Sequence, residues 1–130
     1  MSSKILTVQQ CYAEFGKGNP HGVLELLTDD IIWIDPGYPH IPYAGKCQGK
    51  EEVLNFFIQM SQTVAFTRFE PQQFLCDGNF VVVKGYFTGK ANETGKTFET
   101  EWVMIWEVID EKVKRYQAFI DTYSVAVAIQ

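Results

Sequence analysis

Two aspartates and a set of aromatic rings are the parts of this sequence best suited to chemistry. In "DDIIWIDPG", Asp35 follows Ile31, Ile32, Trp33 and Ile34, so a carboxyl group closes an apolar strand. On a strand of period two, Asp35 shares a face with Trp33. An apolar wall disfavours the charged form of an acid and moves its pKa toward the range where a carboxylate can take a substrate proton. The competing reading is an Asx-type turn, which Asp-Pro-Gly forms readily at a strand end. The second aspartate, Asp121, closes "RYQAFIDT". Alternation puts Gln117, Phe119 and Asp121 on one face, a pocket wall in one reading. In the other, Asp121 is a solvated acid where the sheet ends. Two aspartates facing one cavity would titrate together, with one held protonated.

Aromatic residues make up 15% of the chain, enough to fill a core and also to line a concave apolar site. Trp33, Trp102, Trp106 and Phe119 are the rings expected to shape such a site, although core packing would employ them equally well. The loop "GYPHIPYAG" adds His40, an acid–base group over a cavity or else an ordinary surface histidine, and Tyr38 and Tyr43 as gate residues. There is no Ser/His/Asp order, phosphate-cradling glycine loop or HExxH. Cys11, Cys47 and Cys76 are widely spaced and are joined by only two histidines, so neither a metal site nor a disulfide framework is expected. A net charge of −5 argues against a nucleic-acid surface, and no basic amphipathic helix points to a membrane. The polar start and the absence of a long apolar run make a reduced, cytoplasmic chain the default expectation.

The elements that must position these residues follow from periodicity. Ile5, Val8, Tyr12 and Phe15 recur at helical spacing until Gly16 and Gly18. Asn19 and Pro20 then open a second short helix carrying Val23, Leu24, Leu26 and Leu27. After the Ile31–Asp35 strand and a loop over 36–49, Val53, Phe56, Phe57, Met60 and Val64 form one face of a third helix. Four long strand candidates follow, "FTRFEPQQFL", "NFVVVKGYFTG", "TFETEWVMIWEVI" and "KVKRYQAFIDTYSV", separated by turn-forming residues. Helices early and strands late predict one α+β domain over 1–130, a curved antiparallel sheet wrapped on three helices. In "TFETEWVMIWEVI" both faces hold large apolar groups, so both are expected to be covered.

The segments "LLTDDIIWIDPG", "PYAG…GKEEVLNFF" and "VKRYQAFIDT" resemble SnoaL-like polyketide cyclases and ketosteroid isomerases of the nuclear transport factor 2-like superfamily. The resemblance implies a cone-shaped fold, a homodimer and a cofactor-free site for a hydrophobic small molecule. It places Asp35 on the isomerases' general-base aspartate and Asp121 on the acid–base aspartate of SnoaL-like cyclases and limonene-epoxide hydrolases. The remaining residue sets are incomplete. Cys11 stands where the isomerases carry an oxyanion-hole tyrosine, with Tyr12 one residue and roughly 100° of helix rotation away. Met104 stands at their protonated aspartate, and Gly85 and Phe87 at the hydrolases' Arg and Asp. The expected site is therefore catalytic Asp35 and Asp121 in a pocket lined by Tyr12, Trp33, Tyr38, His40, Tyr43, Phe57, Trp102, Met104, Trp106, Gln117 and Phe119. Two functions fit: an isomerase or cyclase moving a proton on a small apolar carbonyl compound, or a non-catalytic dimeric module binding a hydrophobic molecule or a protein partner.

Overall fold

A computed structural model describes residues 3–130. Helix α1 (Ser3–Gly16) buries Thr7, Val8 and Cys11 and ends where Gly18 adopts a positive φ of 71°. Asn19 caps α2 (Pro20–Leu24) by accepting a hydrogen bond from the Gly22 amide at 3.3 Å. Strand β1 (Leu27–Asp35) leads through a loop to the short β2 (Gly45–Gln48), and α3 (Lys50–Thr63) follows. The first turn of α3 carries Glu51 and Glu52, and Glu52 accepts from the Gln48 amide at 2.8 Å. Val64, expected on this helix, instead begins β3 (Val64–Asp77). Strands β4 (Phe80–Ala91), β5 (Thr97–Ile109) and β6 (Lys112–Ile120) complete the meander, and α4 (Thr122–Ile129) lies against β5 and β4.

The six strands form one curved, unclosed sheet in the order β2-β1-β6-β5-β4-β3. The α+β class is as the sequence predicts, with two corrections. There are four helices among the described residues, because Thr122 onward folds as α4 and does not extend the last strand. The sheet is also not wholly antiparallel, since β1 pairs with β6 in parallel, placing Trp33 opposite Tyr116. Helix α1 packs on β3 to β6 and α3 on β1, β2 and β3, so the concave face carries the core. On β5, Phe98, Thr100, Trp102, Met104, Trp106 and Val108 are buried there, while the glutamates between them point away. Gly85 admits this packing: a Cβ at that position would lie 2.1 Å from Trp102.

Candidate active site

The concave face does not pack solid. Between α1, α3 and the sheet lies a cavity with about 600 Å³ of empty space, its open mouth included. Among the described residues, Asp35 is the only acidic group on its wall, and no Lys, Arg or His lines it. Strand alternation puts Asp35 on the inward face with Trp33, which is 3% exposed. No side-chain hydrogen bond and no cation offsets the burial of the carboxyl, so its pKa is pushed up to about 7. Asp35 retains intermediate exposure, as a group facing a cavity does. In turn its charge adds to burial in raising the phenols of Tyr43 and Tyr116, so both stay protonated donors.

The loop after β1 decides which of its rings enters. Gly37, at φ +109°, leaves the space that Ile41 fills: a Cβ there would lie 2.6 Å from Ile41 Cδ1. With Ile41 anchored, its amide bonds Gly37 O at 2.8 Å and the Ala44 amide bonds Ile41 O at 3.0 Å. Tyr43 then turns inward and is buried, while Tyr38 is 68% exposed and His40 is exposed. Neither Tyr38 nor His40 lines the cavity, so the expected gate and loop histidine belong to the surface.

Helix α1 supplies both Cys11 and Tyr12 to the wall. Burial pushes the Cys11 thiol up to about 12, which leaves it an inert thiol. The Tyr12 hydroxyl donates to Met104 Sδ at 3.1 Å and accepts from Trp106 Nε1 at 3.1 Å. A thioether is a weak acceptor, so the phenol proton is available to a better one. The one-residue offset in α1 therefore does not remove Tyr12 from the site.

The expectation for β6 is off by one face. Tyr116 and Ile120 line the cavity, whereas Gln117 and Phe119, the latter 47% exposed, lie on the outer face. The extra residue Lys114, where β6 shifts register against β5, lies before this stretch; from Arg115 to Ile120 the alternation is regular, so Gln117 and Phe119 do share a face, but it is the outer one. Tyr116 stacks on Trp33 at 3.8 Å between ring centroids. Asp121 is exposed and caps α4, accepting from the Ser124 amide at 3.2 Å, while its own amide donates to Thr100 Oγ1 at 2.8 Å. It does not reach the cavity. Trp102 backs the wall without lining it, stacked on Tyr12 at 5.9 Å. Of the expected set, the structure brings together Asp35, Tyr12, Trp33, Tyr43, Phe57, Met104 and Trp106. Sequence reasoning missed Tyr116, Phe15, Phe66 and Phe69. The Phe15 signal was present, at helical spacing from Tyr12 and Val8.

The profile of the SnoaL-like domain matches residues 8–116. An NTF2-like protein from Burkholderia xenovorans superimposes with a TM-score of 0.89 at 32% identity, over 98% of this chain and 96% of that one. A second NTF2-like protein, from Burkholderia pseudomallei, gives 0.92 at 26% identity over 100% and 99%. TerC, co-crystallized with polyporic acid, shares the fold with a TM-score of 0.85 at 23% identity over 98% of each chain. No curated protein matches. The chain belongs to the SnoaL-like family of NTF2-like proteins.

Proposed function

We propose that the protein is a cofactor-free acid–base enzyme of the isomerase or cyclase type, moving a proton on a small apolar carbonyl compound. The observation that carries this reading is Asp35, an unpartnered carboxyl with a pKa near neutrality inside an aromatic cavity. A carboxylate poised there can take a proton from carbon next to a carbonyl and return it elsewhere. The enolate oxygen that develops needs a donor. Tyr12 fills this role by exchanging Met104 Sδ for the substrate oxygen, with the Trp106 N–H still polarising the phenol. Tyr43 and Tyr116 add neutral donors beside Asp35. The test is proton exchange: incubating the protein in D₂O with a panel of cyclic ketones and following deuterium incorporation. Exchange catalysed by the parent and lost in Asp35→Asn supports the role, and exchange that persists in Asp35→Asn refutes it.

Met104 favours a second reading. A thioether donates no proton, so only one side of an oxyanion site is furnished there, and a module that binds a hydrophobic molecule without turnover would need no more. Saturable ligand binding with no exchange in any substrate would select it.

A homodimer through the outer face of the sheet belongs to the same proposal. Register places Val82 beside Ile105 and Val103 beside Phe119 on that face. Opposite charges flank them: Lys84 pairs with Glu101, and Glu107 stands across from Arg115. Such a face is self-complementary under a two-fold axis. Ile105→Lys is expected to give a monomer by light scattering, and a parent that is itself monomeric would refute the dimer.

A further inference from the structure

Some residues of the chamber around Asp35 do two jobs. Among its aromatic lining residues only Tyr12, Phe15, Phe66 and Phe69 keep partial exposure, while the other rings are buried. The same four rings also line a groove on the outside of the molecule, whose further walls include Gly16, Gly18, Thr67 and Pro71. Chamber and groove therefore share these side chains as a common wall.

Phe15 stands at the partition. It lies in the last turn of α1, with its ring centroid 5.0 Å from Phe69 and 6.0 Å from both Phe66 and Phe57. Beyond it the helix wall drops away: a Cβ at Gly16 or Gly18 would meet nothing within 4 Å. Across the groove, β3 leaves regular pairing twice, between Phe66 and Arg68 and between Pro71 and Gln73. Such bulges bend a strand on either side of Phe69.

The groove carries no free charge. Arg68 also lines the groove, with its guanidinium 5.4 Å over the Tyr86 ring and paired with Glu70. The Thr67 hydroxyl is already engaged with that of Thr88 at 2.8 Å. Apart from these two engaged side chains, the groove is lined by ring, proline and glycine surface.

We infer that this groove is a second ligand subsite and that the ligand is an elongated, uncharged, two-part molecule. A compact ring-bearing head sits beside Asp35, and an apolar tail passes Phe15 to lie between the end of α1 and β3. The inference rests on the proposed role of the chamber as the ligand site. Ligand length is then read outside the catalytic chamber, by surface that touches no reacting atom. Phe15 becomes a specificity-determining residue, because its ring must rotate or lean aside for the tail to pass.

The experiment compares 2-naphthol, a head alone, with 6-phenyl-2-naphthol, the same head with an apolar tail, by NMR titration of the full chain. The tailed probe is expected to bind at least tenfold more tightly, because a phenyl ring leaves water. It is also expected to shift the Gly16 and Gly18 amide signals, which 2-naphthol leaves in place. In Gly16→Trp, where the open space beside residue 16 receives an indole, the affinity ratio of the two probes should fall toward one. Equal affinities in the parent, with 2-naphthol bound, overturn the second subsite and leave the chamber reading standing. A tail advantage that survives Gly16→Trp also overturns it. Binding of neither probe removes the chamber as a ligand site and the inference with it.

Discussion

Asp35 ends one strand and Asp121 directly follows another, and both precede a change of direction, yet their surroundings differ. At the end of β1 the next residues turn outward and the carboxyl stays under Trp33, with nothing to hydrogen-bond. At the end of β6 the chain enters a helix whose first amides are unsatisfied, and the Asp121 carboxyl turns to meet one of them. An acid offered a backbone donor takes a structural role. An acid denied every partner keeps its reactivity, at an energetic cost.

Replacing each aspartate tests that contrast most directly. Asp35→Asn keeps the shape and removes the base, and loss of about 10³ in turnover is expected, within the range for general-base removal. Deuterium incorporation measures it, and the parent's rate should rise as Asp35 ionises, with an inflection near pH 7. Stability should respond in the opposite sense. Because the folded pKa of Asp35 lies above its ordinary value of 3.8, the folded state binds more protons than the unfolded chain between about pH 4 and 7. Stability is thus lost as pH rises through that window. Asp35→Asn is expected to recover a few kcal/mol, on the order of 3, at pH 8 and to flatten the dependence; urea unfolding at several pH values measures both.

Tyr12→Phe removes the proposed oxyanion donor and should lower turnover about 30-fold without moving the pH inflection. An unchanged rate would leave the developing oxyanion to Tyr43 or Tyr116. The smallest effect belongs to Asp121→Ala, which should cost about 1 kcal/mol of stability through loss of the α4 cap. Turnover is expected to stay at the parent's level. A loss of turnover larger than the unfolded fraction explains would erase the contrast between the two acids.

How much of this could be read in advance depends on the kind of signal each residue carries. Asp35 was legible because four apolar residues before it fix the strand, and Trp33 fixes its face. The inward face of β5 was legible for the same reason, with glutamates alternating against rings from Phe98 to Glu107. The face of β6 was not. Gln117 and Phe119 do alternate together, but their side was inferred from Asp121, which lies beyond the strand and caps α4. Helix α4 hid in "TYSVAVAI", whose Thr, Tyr and Val residues favour strands, and only the capping aspartate before it hinted otherwise. Strand β2, four residues long with a glycine at its start, has too little period to read. The chamber itself depends on which rings fail to touch, a property no local pattern encodes.

The parallel seam between β1 and β6 has a consequence for how the protein comes into being. It unites Trp33 and Tyr116 from opposite thirds of the polypeptide, so the surroundings that unsettle Asp35 exist only once the latest strand has slotted in beside the earliest. Contacts so distant along the chain form slowly. Until they do, Asp35 sits in water as an ordinary carboxylate.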